Sequence, residues 1–407
     1  MLFRLAWRNL WRNKRRTLIT VSAVIFATWL SIAMRGLQLG TYEQNITFSL
    51  NLFSGHVQLQ HPDFPDNPTL HNTFVFDERT SSLLRRDARV RAFAPRIIAD
   101  GLLSYRDNSQ GAAIFGVDPA AEARVSRILR RIHDGRGLAN AEAREVVVGL
   151  TMLQNLRAAV GDDIVILAQG RDGSLGNMKY RIVGTVQTGM PDFDRSAVFM
   201  GIEALRELVS MPRHTSVVAV ALHDLNDVGP VTDALDATLS GGGIRAFSWQ
   251  EVMPELKQSI DLDNYSSILF LGILIVVVAF GILNTVLMSV TERFREFGIL
   301  LAIGMPQRLL VRLVLLETLF IIMTGVLVGN LFAYGVVSWF AAHPIVFTGE
   351  YAAMMEEFGW LPQMGSVVRL SSFVNTSFAV VILSLLAAVY PLYRVSRLEA
   401  LKGIRYT

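Results

Sequence analysis

Residues 284–320, NTVLMSVTERFREFGILLAIGMPQRLLVRLVLLETLF, decide the fold. The segment leaves one apolar run, passes through a short stretch rich in Glu and Arg, turns at Gly304-Met305-Pro306 and enters a second apolar run. Thr291-Glu292-Arg293 marks a water boundary, and Gly304 offers a backbone conformation closed to larger residues. Pro306 disfavours helix in the residue before it, which ends the charged helix there. A short helix on a membrane surface, between two spans, is a place where a motor can push.

Outward from this junction the apolar residues are unevenly spread. The chain is 51% hydrophobic and 18% charged, with a mean hydropathy of +0.38. A hydrocarbon core of about 30 Å takes roughly 20 apolar residues as helix. Runs 18–34, 268–290, 313–340 and 373–390 meet or approach that length, whereas 36–264 is ordinary water-soluble sequence, long enough for a domain with its own core. Short loops rich in Lys and Arg stay cytoplasmic. Arg4, Arg8, Arg12, Lys14, Arg15 and Arg16 precede the first run; Arg293, Arg295, Arg308 and Arg312 lie between the second and third; Arg394, Arg397, Lys402 and Arg405 follow the fourth. In the loop 343–372 Arg369 is the only cation, beside Glu350, Glu356 and Glu357. Both termini are therefore expected in the cytoplasm and the large domain outside.

The expected order is a cytoplasmic amphipathic helix (1–16), a first span (17–39), an extracytoplasmic α+β domain with stalk helices (40–264), a second span (265–290) and a cytoplasmic coupling helix (291–308). A third span (309–341), a second outer loop (342–372), a fourth span (373–391) and a cytoplasmic tail (392–407) complete it. The first run resembles a signal peptide, but no A-x-A site ends it. Phe3, Trp7, Leu10 and Trp11 recur at helical spacing ahead of it while Arg4, Arg8 and Arg12 step along another face, as in an interfacial helix. Tyr42, Ile46, Leu50 and Phe53 predict that helix continues outward as one stalk; Val252, Leu256 and Ile260 predict a second. Within the outer domain EVVVGL, DDIVILAQG, YRIVGTVQTG and SAVFMG read as strands between turn residues. Residues 216–222, 227–239 and 244–247, with glycines at 241–243, have the β-α-β form of half a ferredoxin-like unit, and 61–75 is expected as an extended loop.

Chemistry is sparse. Cysteine is absent, which removes disulfides and thiolate nucleophiles. No G-x-x-x-x-G-K-[ST], H-E-x-x-H or G-x-S-x-G occurs, and the seven histidines are scattered. Asp162-Asp163 and Asp192-Phe193-Asp194 fit turn chemistry better than a cation site. Glu317 stands about one turn into the third span, where an ionisable group costs roughly 2.5 to 3.5 kcal/mol at the helix centre and is paired or functional. Asn284, or a Ser or Thr on a neighbouring helix, is a candidate partner.

The string ERFREFGILLAIG closely resembles the E-R-x-R-E-I-G-x-x-x-A-x-G signature of the FtsX-like permease family. The opening LAWRNLWRNKRRTLIT and the close YPLYRVSRLEALKGIRY resemble that family's ends, and the order of one span, a large outer domain and three spans is its order. Leu300-Leu301 replaces a basic residue of several relatives, and Glu399-Ala400 replaces the tail's usual Pro. The resemblance implies a membrane α-helical fold of four transmembrane helices with a MacB-type periplasmic core domain, in the inner membrane. It also implies a second permease chain, identical or divergent, and a separate cytoplasmic ABC ATPase that holds ATP and Mg. This chain is expected to bind no cofactor or metal, to catalyse no reaction and to have no nucleic-acid partner.

By position in the motif, Glu292, Arg293, Glu296, Gly298, Ala302 and Gly304 are expected to dock the ATPase. The large outer domain and the long second loop lean towards Lol-type lipoprotein-releasing permeases, which take a lipid-anchored substrate from the bilayer to an outer carrier. The apolar faces of the first two spans and their stalks would then form the cavity. A MacB-like pump working through an adaptor, or an FtsX-like transmitter that activates a cell-wall hydrolase, are the alternatives.

Overall fold

A computed structural model of the chain describes residues 2–239, 243–357 and 360–397. The expected tail beyond Arg397, with Glu399-Ala400, Lys402 and Arg405, lies outside the described residues, as do Gly241, Gly242 and the side chains of Glu356 and Glu357. The chain divides into two units, one of Met1–Glu43, Ile260–Val346 and Gln363–Thr407, the other of Gln44–Ser259 and Phe347–Pro362.

Six helices build the first unit: α1 (Leu2–Leu10), α2 (Lys14–Ser49), α3 (Pro254–Glu292), α4 (Phe294–Ala302), α5 (Gln307–Ala342) and α6 (Leu370–Ser396). Four of them, α2, α3, α5 and α6, are long and apolar enough to cross a membrane. Helices in lipid gain little from apolar contact with one another, so close approach and polar contacts must hold them together. Both devices are present. Gly325 and Gly329 of α5 lie against α2 so tightly that a Cβ would come within 2.6 Å of Val24 and 2.7 Å of Thr28. Thr20 donates to Thr285 between α2 and α3 (3.0 Å), and Asn330 to Ser377 between α5 and α6 (2.8 Å). Helix α3 packs along a stripe, Ile275, Val278, Ile282, Val286 and Val290, and leaves Leu269, Phe270, Ile273, Val277 and Phe280 exposed.

Ten strands dominate the second unit: β1 (Val57–Gln60), β2 (Val90–Tyr105), β3 (Asn108–Val117), β4 (Ile132–Gly135), β5 (Glu145–Gly149), β6 (Asp163–Gln169), β7 (Leu175–Val186), β8 (Ala197–Gly201), β9 (Val217–Leu222) and β10 (Arg245–Ser248). The pairings β2-β3-β8-β5-β7-β6 return to β2 and close a ring, which leaves those strands without a free edge. Period-2 alternation sends Ile97, Leu103, Ile114, Val146, Val148, Ile164, Ile166, Ile182 and Val198 to one core. The alternate residues Phe115, Val117, Val147, Val183 and Phe199 form a second core with Leu52 and Phe53. Those two belong to a π-helical turn, Leu50–Ser54, that extends α2, so the first stalk ends by packing on the ring.

The expected β-α-β unit exists as β9, the helix Val228–Leu239 and β10, but β1 lies between its strands, antiparallel to each. The expected loop 61–75 ends in a short strand, Phe74–Val75, paired with His214–Thr215. The second stalk needs correction. Val252 belongs to a separate short helix, Trp249–Val252; Met253 precedes proline and adopts φ −123°, ψ 63°, and α3 begins at Pro254. The second outer loop is also divided, for Phe347–Pro362 joins the domain and Leu361 N–H donates to Asn45 Oδ1 at 2.8 Å.

One ion pair is wholly buried in this unit. Arg96 donates through Nε and Nη2 to both oxygens of Glu122 (2.9 and 2.7 Å) and stacks 3.8 Å from the Phe53 ring centroid. Nothing in the sequence singled these residues out.

The glycine contacts yield a direct test. Gly329→Leu should lower the thermal midpoint in detergent by an amount equivalent to ~1–3 kcal/mol of overpacking strain. Gly335→Leu, on the same helix with nothing within 4 Å of its Cβ, should leave it unchanged.

Candidate coupling site

Helix α3 ends at Glu292, Arg293 makes the turn at φ −106°, ψ 10°, and α4 follows. Its far end is a Schellman motif: Met305 N–H donates to Leu300 C=O (3.0 Å) and Gly304 N–H to Leu301 C=O (3.1 Å), with Gly304 at φ +100°. Gly304 therefore stops the helix, and Pro306 caps the start of α5 instead of ending α4. Phe294, Phe297 and Gly298 are buried against the spans, while Arg295, Glu296, Ile299, Ala302 and Ile303 are exposed.

Arg293 is the hub. Its Nη1 donates to both Glu317 oxygens (3.0 and 3.1 Å), its Nε to Glu296 (3.3 Å), and its guanidinium lies 4.9 Å from the Phe297 ring centroid. The Arg293 and Glu317 side chains are each only 11% exposed. Asn9 of α1 donates a further bond to Glu317, at 2.7 Å. The intramembrane acid is thus answered by Arg293 and Asn9, and Asn284 is exposed on α3. Two further pairs tie the N-terminal segment to the junction: Arg12 to Glu296 (2.7 Å) and Arg16 to Glu292 (2.6 Å). The two arginines stand four residues apart, as do the two glutamates, so the segments match like a clasp. Phe3 and Trp7 meet Phe320 edge to face at 6.0 and 5.8 Å, which holds α1 along α5.

Of the six residues expected to dock a partner, Glu292 and Glu296 thus bind arginines of their own chain, and Arg293 and Gly298 face the bundle. Ala302 and Gly304 are exposed. Sequence reasoning missed Asn9, Arg12 and Arg16 as partners. The one available signal was the shared four-residue spacing of Arg12 and Arg16 with Glu292 and Glu296.

A cavity of about 40 Å³ lies within this site, lined in part by Asn9, Arg16, Thr285, Ser289, Arg293 and Glu317. Its size and polarity suit a few waters. The hydrogen bond from Arg12 holds the Glu296 carboxyl below its ordinary value, with a smaller contribution in the same direction from Arg293. The contribution of the Glu296 bonds is therefore fully present at neutral pH and is lost as pH falls through that lowered value. Among the described residues no group of three His, Asp or Glu is placed to hold a metal. Asp162 and Asp194 accept local hydrogen bonds, from Ala159 N–H and from Thr188.

The chain is similar in sequence to known proteins. Residues 17–238 match the model of the MacB-like periplasmic core domain, and residues 268–400 match that of the FtsX-like permease C-terminal region. Lipoprotein-releasing system transmembrane protein LolC of Xylella fastidiosa is 23% identical over 335 residues, 80% of each chain. LolC of Neisseria meningitidis is 20% identical over 96% of this chain and 94% of its own. The macrolide export ATP-binding/permease protein MacB of Sodalis glossinidius is 22% identical over 79% of this chain but only 50% of its own.

Burial separates the ion pairs energetically. Glu317→Ala leaves the buried Arg293 charge with only its longer bond to Glu296 and should cost about 3–5 kcal/mol, whereas Glu296→Ala removes the exposed bond to Arg12 and that longer bond while the Arg293–Glu317 pair stays, and should cost about 1 kcal/mol. Thermal unfolding of the two variants in detergent checks the order; equal losses would refute the hub.

Proposed function

Because the chain belongs to the family of ABC transporter permeases that carry a MacB-like periplasmic core domain and an FtsX-like C-terminal region, we propose that it couples ATP hydrolysis on a separate cytoplasmic ATPase to movement of its outer domain, and so extracts lipoprotein or another amphiphile from the inner membrane. The observation that carries the lipoprotein reading is the span of the likeness to two LolC proteins, 80% and 96% of this chain. In this reading both termini are cytoplasmic, ATP and Mg reside on the partner, and a second permease chain completes the complex.

The coupling residues keep their place with altered roles. Arg293, Glu296 and Gly298 fix α4 to α5 and to Arg12, Glu292 at the end of α3 holds Arg16 of α2, and the ATPase contacts what remains outside: Ala302 and Gly304 with Arg295, Ile299 and Ile303. Ile299 and Ile303 are 46% and 79% exposed and stand one turn apart, an apolar ridge beside the headgroups. Helices α2 and α3 each contribute residues to both units, which gives motion at α4 two covalent routes outward.

Ile299→Asp/Ile303→Asp should reduce copurification of the ATPase at least about tenfold, ~1.4 kcal/mol, without lowering the thermal midpoint; unchanged copurification would remove the ridge from the interface. In proteoliposomes holding the complex, ATP should release a diacylated lipoprotein to a soluble carrier. The core-domain match favours one alternative, MacB-like efflux through an adaptor. ATP-dependent resistance to a macrolide, without lipoprotein release, would establish that alternative.

A further inference from the structure

The domain carries a second feature that the coupling scheme does not use. A cavity of about 360 Å³ is lined by Asn51, Arg91, Ala92, Ala123, Arg124, Val125, Ser126, Arg127 and Arg130. Four of these side chains are arginines, and none is an acid. They come from separate elements: Arg91 opens β2, Arg124 lies in the helix Pro119–Val125, Arg127 follows it, and Arg130 closes the turn Ile128–Arg130. The Arg127 backbone N–H is fixed by Asn51 C=O (2.8 Å), and Arg130 Nη2 by Ala123 C=O (3.1 Å). The neighbouring carboxylate Glu122 is fully buried and already committed to Arg96 and to the Ser126 hydroxyl. It cannot neutralise the rim.

Like charges converging on one concavity repel by about 1 kcal/mol per pair at 4 Å even in water. An arrangement without a counter-charge is therefore incomplete. The uncompensated field reaches a neighbour: burial first, and then the charge of Arg91, bring the buried His56 imidazole down to about 4. Two arginines at the end of a short helix would be ordinary complements to its dipole. Arg91 and Arg130 are not explained that way.

We propose that this cavity binds a phosphate-bearing ligand through Arg91, Arg124, Arg127 and Arg130. Guanidinium forks match phosphate oxygens in pairs, and each bond is charge-assisted. A single carboxylate would fill little of the space, whereas the volume lies in the range of small-ligand pockets and admits a phosphate with the polar group it esterifies. The ester is either a phospholipid headgroup or a soluble phosphate; both present anionic non-bridging phosphate oxygens, one charge on a diester headgroup and up to two on a monoester.

The test uses the intact chain in neutral detergent and isothermal titration with inorganic phosphate, glycerol phosphate and dihexanoyl phosphatidylglycerol. Binding that weakens at least about tenfold in Arg124→Gln/Arg127→Gln, and weakens with added salt, supports the site. Lipid binding tenfold tighter than glycerol phosphate assigns the headgroup as source; equal binding assigns the soluble ester. Both arginines are exposed, so the thermal midpoint should not move. Should that double variant fail to fold, Arg91→Gln/Arg130→Gln replaces it with the same expectation. Absence of binding by all three probes, or affinity unchanged in the variants, overturns the proposal. So does displacement of the probes by polyglutamate at lower concentration than by phosphate, which would make the cavity a seat for an acidic protein segment.

Discussion

A guanidinium that has lost most of its water must find carboxylates, and at Arg293 this requirement organises the whole junction. Unpaired, a charge so placed would cost several kcal/mol. Glu317 meets it from α5, Glu296 from α4, and Asn9 fills a remaining position on Glu317 from α1. Two successive helices and the distant α1 are thereby fixed at one point. The turn between the second span and α4 takes its shape from Arg293, the residue that makes both the turn and the pair. Around that point the exposed pairs Arg12–Glu296 and Arg16–Glu292 add little energy individually. They fix the turn after α1 and the first residues of α2 at the junction, while Phe3 and Trp7 hold α1 itself by aromatic contact with Phe320.

The second unit repeats the device. Arg96 pairs with Glu122 through both donors and lies over Phe53, as Arg293 pairs with Glu317 and lies over Phe297. In each case the aromatic ring belongs to a helical segment that must be seated on a larger body: the π turn ending α2 in one, α4 in the other. A buried ion pair is a poor source of stability relative to well-packed apolar residues of similar volume. It is a good means of excluding alternative seatings, because any shift leaves a charge unpaired. Where helices must keep one register while load passes through them, that trade is favourable.

How much of this was legible depended on whether the cause was local. The spans followed from hydropathy, six of the ten domain strands from alternating or apolar runs between turn residues, and Gly304 from its turn geometry, since each signal lies within a few residues of its effect; the long strands β2 and β3 were not read. Partners remote in sequence were hidden. Asn9 and Glu317 are 308 positions apart, and nothing in either segment names the other. The insertion of β1 between β9 and β10 was invisible because VQLQ alternates over only four residues, too short a run to mark a strand, and its partners lie roughly 160 to 190 positions away. Val252 misled for a different reason: its apolar spacing with Leu256 and Ile260 is helical, but Pro254 removes the continuity that the spacing suggests. Arg96 carried no signal, since an isolated arginine in a strand normally reaches solvent.

The motif acids illustrate how a family signature and a binding surface can part company. Glu292 and Glu296 are charged and near the surface, which made them natural candidates for contact with another protein. Each is already held by an arginine of the same chain, at 2.6 and 2.7 Å, so a partner that used them would first have to break the clasp. The clasp leaves Ile299 and Ile303 uncovered, an apolar pair beside the exposed Arg295, Ala302 and Gly304, and a Cβ added at Gly304 would meet nothing within 4 Å. A surface of that kind tolerates substitution in its partner better than a set of matched charges, since apolar contact is not directional. The pairing inside the chain therefore preserves the shape of the junction, and the exposed ridge at Ile299 and Ile303 takes no part in it, so the shape of the junction and any contact outside it need not fall on the same residues.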